Sequence, residues 1–143
     1  MNTGKHGSEE DLIQHDLTEK VIGVFYDVYN ELGHGFLESV YHKAMVIALR
    51  GAGFLIASEV PIPVFFRGQR VGDFSADILV NDAVLLELKA VKEFDTAHEA
   101  QLLNYLRATP IEVGLLLNFG PKPAFRRRLF TNDRKRHHPK PAS

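Results

Sequence analysis

The chain reads as an α/β protein, a mixed sheet flanked by helices, for three reasons. Residues 17 to 50 carry apolar positions at helical spacing, and residues 54 to 89 switch to the period-two pattern of strands. A further helical stretch then leads into a continuous apolar run, Val113 to Phe119, the mark of a strand covered on both faces.

Residues 1–15 are polar and read as a flexible leader. From Leu17, the positions Val21, Ile22, Val24, Phe25, Val28 and Leu32 predict a first helix that stops at Gly33-His34-Gly35. A second helix spans about Leu37 to Arg50, with Val40, Tyr41, Ala44, Ile47 and Ala48 as its apolar stripe and Gly51 and Gly53 at its end. Phe54 to Val60 is a strand, continued or followed by Pro61 to Phe66, whose prolines argue for an edge or a bend. Arg67-Gly68-Gln69-Arg70 is a turn into a hairpin, Val71 to Lys89. A third helix covers about Thr96 to Ala108 and is closed by Thr109-Pro110. Asn118-Phe119-Gly120-Pro121 ends the buried strand, and Arg127 to Phe130 adds a short last one. The order is α-α-β-β-β-α-β-(β) without internal repeat. It gives one domain over 16–131, followed by a basic tail at 132–143.

Composition narrows the function classes. With 143 residues, 45% apolar and 24% charged, the chain is an ordinary globular domain able to bury a core. It has no cysteine, so disulfides and thiolate metal sites are excluded. The N-terminus lacks the apolar core of a signal peptide and no apolar run reaches transmembrane length, so a cytoplasmic location without membrane association is expected. The net charge of −1 conceals an asymmetry: residues 121–143 hold eight Lys/Arg against one Asp. Such a tail can contact phosphates or simply be solvated.

The hairpin organises the rest. Asp77, Glu87 and Lys89 stand on strands where apolar residues are the norm, and charges in such places cost several kcal/mol unless paired or bound to metal. Glu87 and Lys89 share one face, with Leu86, Leu88 and Ala90 on the other; Asp77 shares its face with Ser75 and Leu79. Asp77 lies across from Glu87 only if paired residue numbers sum to 164, which demands a three-residue loop, Asn81-Asp82-Ala83, or a bulge. Two carboxylates and a main-chain carbonyl suit a hard cation such as Mg2+, and a lysine beside them could orient the water or steady phosphoryl charge. The alternative is a plain ion pair, Glu87 with Lys89 or Asp77 with Arg70.

Two further groups bear on this site. Glu38 opens the second helix, where the dipole favours a carboxylate, or reaches over the sheet as another ligand; Tyr41 follows three residues on. Gln101 and Tyr105 share a face of the third helix and could hold the carboxylates or touch a phosphate. The seven histidines are scattered, Gly33-x-Gly35 lacks the context of a dinucleotide loop, and no serine nucleophile elbow occurs.

Gly35-x-x-Glu38-x-x-Tyr41 resembles the motif that names the GxxExxY proteins, and Asp77, Glu87-x-Lys89, Gln101 to Tyr105 and Asn118-Phe119-Gly120 follow in that family's order across roughly residues 15–130. The family looks like a branch of the PD-(D/E)xK nuclease superfamily. The resemblance implies a restriction-endonuclease-like α-β-β-β-α-β core with an extra N-terminal helix. It also implies metal ligation by Asp77, Glu87 and Glu38, a catalytic Lys89, and supporting roles for Gln101, Tyr105 and Tyr41. Ala76 stands where the superfamily's name has Pro, and Met45 where the family often has Leu; neither removes a chemical group. The expected activity is Mg2+- or Mn2+-dependent hydrolysis of nucleic acid, DNA rather than RNA, by a single chain, a homodimer or a larger complex. The competing expectation is a non-catalytic domain that keeps the nuclease fold and binds nucleic acid or protein. The nuclease reading requires the carboxyl groups of Glu38, Asp77 and Glu87 to converge beside the Lys89 ammonium.

Overall fold

The structure, a computed structural model, describes residues 12–135. The leader up to residue 11 and the tail from residue 136, including His137-His138, lie outside the described residues.

Two helices come first, α1 (His15–Leu32) and α2 (Glu38–Gly51). They are followed by β1 (Ile56–Phe66), β2 (Gln69–Val80), β3 (Val84–Lys89), α3 (Thr96–Arg107), β4 (Val113–Asn118) and β5 (Ala124–Leu129), with a short 3-10 turn at Asn132–Arg134. The strands form one sheet in the order β1-β2-β3-β4-β5. Every neighbouring pair is antiparallel except β3 and β4, which are parallel and joined through α3. The expected element order and mixed sheet are therefore both present. Phe54–Val60 and Pro61–Phe66 merge into one edge strand, where the missing proline N–H groups cost least.

Helices cover both faces. On one, Val21, Phe25 and Val28 of α1 and Tyr41, Met45 and Leu49 of α2 pack on Ile56, Ile78, Val80, Leu86, Leu88, Val113, Leu115 and Leu117. On the other, Leu102, Tyr105 and Leu106 of α3 pack on Ile62, Ala76, Leu85 and Leu116. Every residue of β4 is buried, as a strand sandwiched between helices must be. The stripe expected on α2 is displaced: Val40 and Ile47 are exposed, whereas Met45 and Leu49 are fully buried. The apolar arc of α2 is wider than the face it buries, so spacing alone did not choose which part of that arc packs.

Besides a one-residue register shift between Val64 and Phe65 near the tip of the β1–β2 pair, sheet regularity fails at a second place. β1 and β2 pair with numbers summing to 136 on both sides of Glu59 and Asp77, but those two are unpaired, and Glu59 has φ +56°. Across that point the strands roll over. Ile56 and Ile78 face α1 and α2, yet Val60, Ile62 and Ala76, of the same parity, pack with α3. The alternation that put Ser75 with Asp77 does not continue through this kink. Beyond it β1 and β2 run on as a two-stranded ribbon, since β3 pairs only with residues 78–80. A two-residue turn, Arg67 (φ +50°) and Gly68 (φ +77°), closes the ribbon, with both residues left-handed as the twist of a tight hairpin requires. No helix among the described residues is long and apolar enough to cross a membrane.

Candidate active site

The β2–β3 hairpin has the register that the site needs. Ile78 pairs with Leu86, Leu79 with Leu85 and Val80 with Val84, each pair summing to 164 around the loop Asn81-Asp82-Ala83. Asn81 and Asp82 both adopt left-handed φ, near +52° and +53°, which their short polar side chains tolerate. The Asn81 carboxamide accepts from Leu55 N (2.8 Å), and Asn81 N donates to Leu55 O (2.8 Å). The loop is thus tied to the chain that enters β1, and the hairpin cannot slip.

One step beyond the last paired residues, side chains replace the backbone ladder. Asp77 N donates to Glu87 Oε2 at 3.1 Å, and Leu88 N donates to Asp77 Oδ2 at 2.7 Å. Each carboxylate thus bonds to the opposite strand, and the kink at Asp77 makes room for both. Glu87 is only 4% exposed. Burial and the neighbouring Asp77 charge push its carboxyl up from 4.5 to about 8, with Lys89 acting in the opposite sense. A proton on Glu87, or a cation at the pair, relieves the cost of that burial.

The other expected residues gather around this pair. The Glu38 carboxyl is raised, first by desolvation and also by Asp77, and opposed by Lys89, His98 and His42. Tyr105 is buried beneath; its phenol is raised by desolvation and by Glu87 and Asp77, and it bonds to Gln101. Glu38, Asp77, Glu87, Lys89, Gln101 and Tyr105 therefore lie in one electrostatic neighbourhood. Even so, no three His, Asp or Glu side chains among the described residues close into a ready-made metal cage. The contact is made by two carboxylates, with Glu38 facing them from an exposed position. The expected alternative pairings are not formed: Arg70 pairs with Asp73, and the other ion pair among the described residues joins Arg128 to Glu99.

Tyr41 explains the spacing Gly35-x-x-Glu38-x-x-Tyr41. It is fully buried, stacks on Phe119 with centroids 4.5 Å apart, donates to Gly33 O at 2.6 Å and accepts from Phe36 N at 3.2 Å. From the first turn of α2 it grips the loop just before that helix, which fixes where Glu38 emerges. Gly33, with φ +71°, caps α1 through Tyr29 O.

Two supports were not evident from the sequence as such. Asn118 Oδ1 accepts from Val91 N and Gly120 N, both at 3.0 Å, and its Nδ2 donates to Val91 O at 2.8 Å. Phe119 N donates to Lys89 O at 2.7 Å, so the end of β4 clamps the chain at Lys89 and just after it. A Cβ on Gly120 would stand 1.8 Å from Val91 O, so only glycine permits this approach. His98 closes a capping box at the start of α3: Asp95 N donates to its Nδ1 at 3.0 Å, while the Asp95 side chain accepts from Ala97 N at 2.9 Å. The Asp95-x-x-His98 spacing was the readable signal for that cap.

Several cations of the basic segment that fall among the described residues are engaged elsewhere. Arg128 pairs with Glu99, Arg127 donates to Ile13 O, and Arg126 lies 5.2 Å from the centroid of Phe94. Lys135 is buried and donates to Thr109 O and Ile111 O, each at 2.8 Å.

The chemistry of the donor set fits a hard divalent ion. Two adjoining carboxylates, one held short of ionising by its burial and by the other's charge, are what Mg2+ or Mn2+ takes from a protein when waters and substrate oxygens complete its shell.

Comparisons with known proteins bear on the fold and the family. No curated protein matches the sequence. Among solved structures, the chain is similar to "Crystal structure of SSO0001", with a TM-score of 0.54 and 16% identity over 82% of this chain and 80% of that one, a likeness of fold. A family model of the PD-(D/E)XK nuclease superfamily matches residues 15–128, from the first residue of α1 to the penultimate residue of β5. The chain belongs to that superfamily.

Proposed function

We propose that this chain is a nuclease of the GxxExxY branch that hydrolyses phosphodiester bonds with Mg2+ or Mn2+. The reciprocal bonding of Asp77 and Glu87 supports this reading most, because it brings two carboxylates together at a cost that a cation would relieve. Asp77 and Glu87 would hold the ion. Bound there, it would supply a more acidic water and neutralise phosphate charge.

The remaining chemistry belongs to the chain. Lys89, on the same face as Glu87 and steadied through its own carbonyl by Phe119 N, carries a positive charge to the phosphoryl oxygens as negative charge develops on them. Glu38, with its carboxyl raised, is suited to hold or pass a proton at the mouth of the site. Tyr105, buried and close enough to feel both carboxylate charges, would wall the site on the α3 side, with Gln101 beside it. The three acids and one lysine give a formal −2, so a nucleic acid engages only when the cation is present. DNA is the favoured substrate.

Three measurements test the proposal. Mg2+ or Mn2+ should raise the melting temperature of the wild-type protein but not of Asp77→Asn. Labelled single- and double-stranded DNA and RNA should reveal turnover, and Lys89→Ala should abolish it with little change in folding stability. Metal-independent stability without turnover would instead favour a binding domain that keeps the nuclease fold.

A further inference from the structure

The β1–β2 ribbon carries half-exposed aromatic residues that folding does not use. Phe74 is 50% exposed and Phe66 59% exposed. Beyond the kink, Phe74 faces α3, and its ring centroid lies 6.1 Å from that of Tyr105, whose phenol feels the charges of Glu87 and Asp77. The ring lies back along its own strand over Gly72, where a Cβ would stand 3.0 Å from Phe74 Cε2. The chain therefore keeps a ring next to Tyr105, which adjoins the carboxylates, with half of its surface in water. Val64, paired with Gly72, and Phe66 continue the strip toward the tip, where the Arg67 guanidinium lies 4.9 Å from the Phe66 centroid.

We propose that Phe74, extended by Val64 and Phe66, is a stacking platform for unpaired bases of a nucleic acid strand whose backbone crosses Asp77 and Glu87. The inference rests on the nuclease reading and adds the substrate class: single-stranded or frayed nucleic acid. Phe74 and Asp77 are three residues apart on one strand, about 10 Å, so a base on the ring leaves a phosphate a short step away within reach of the acids. An aromatic face binds any base face but not a duplex, whose faces are already stacked. Duplex capture would instead need free cations along the ribbon. There, Arg70 is paired with Asp73 and Arg67 lies over Phe66.

The test uses a chain that has no tryptophan of its own. Phe74→Trp introduces a single reporter, and Lys89→Ala in the same protein lets binding be read without turnover. With Mg2+ present, a mixed-sequence single-stranded oligonucleotide should quench the indole and its duplex should not. Ile47→Trp, on the exposed side of α2, should respond to neither. Phe74→Leu keeps apolar bulk but loses the π face, and should weaken single-strand binding about ten-fold or more, with duplex binding unchanged. Equal binding by Phe74→Leu and its parent would overturn the platform, as would a ribbon-mediated dimer, seen by sedimentation and lost in Phe74→Ala. Cleavage by the Lys89-containing protein is scored separately. Cleavage indifferent to Phe74 refutes the platform alone, whereas quenching without metal-dependent cleavage refutes the nuclease reading and leaves strand binding intact.

Discussion

Glu87→Gln should make the metal-free protein more stable at pH 8 while destroying its response to metal. The Glu87 carboxyl is held at about 8 in the folded chain against 4.5 ordinarily. Between those values the folded state binds more protons than the unfolded state. The stability linked to this group is therefore complete below about pH 4.5, falls as pH rises, and is gone above about pH 8. At 1.36 kcal/mol per pH unit the full effect is on the order of 5 kcal/mol. Removing the ionisable group at position 87 should recover most of this, about 3 kcal/mol, at pH 8. For a domain of this size that is a rise of roughly 10 °C in melting temperature. Glutamine is nearly isosteric: its oxygen can accept from Asp77 N as Glu87 does, and its amide can donate to the Asp77 carboxylate. Thermal melts of both proteins in EDTA at about pH 5 and pH 8, repeated with Mn2+, provide the assay. The variant should match the wild type in acid, exceed it at pH 8, and gain little from Mn2+. Equal destabilisation at both pH values would refute the claim that burial and the Asp77 charge raise the Glu87 carboxyl.

Two other substitutions probe the supports. Tyr41→Phe keeps the stack on Phe119 but removes the bonds to Gly33 O and Phe36 N. It should cost about 1–2 kcal/mol in urea unfolding and lower turnover further than that loss explains, because Glu38 is no longer fixed. Gly120→Ala drives a Cβ into the Val91 carbonyl, a backbone atom. It should cost about 3 kcal/mol or more, read by the same denaturation, and should release the loop that follows Lys89.

Much of this was readable because strand periodicity is strict. Once Asp77 and Glu87 were required to face each other, only an odd loop or a bulge would serve, and Asn81-Asp82-Ala83 supplies residues able to take left-handed φ. The Val113 run announced its own double burial. What escaped depended on contacts between distant segments. α2 offered two overlapping apolar stripes, and only packing against α1 and the sheet selected Tyr41, Met45 and Leu49. The roll of the ribbon at Glu59 is a non-glycine residue at positive φ, which alternation does not betray. It moves Ala76 and Phe74 to the α3 side, so the exposed ring beside the site was not apparent from spacing. Asn118 looked like the end of a strand, whereas its side chain staples the loop after Lys89.

The central claim is that Asp77 and Glu87 together form a cation site. Crystals soaked in Mn2+ and measured for anomalous scattering test it most directly. One peak in contact with both carboxylates, absent from Asp77→Asn crystals, is the expected result. A protein that cleaves nucleic acid with no peak at this pair, or with one bound elsewhere, would contradict it.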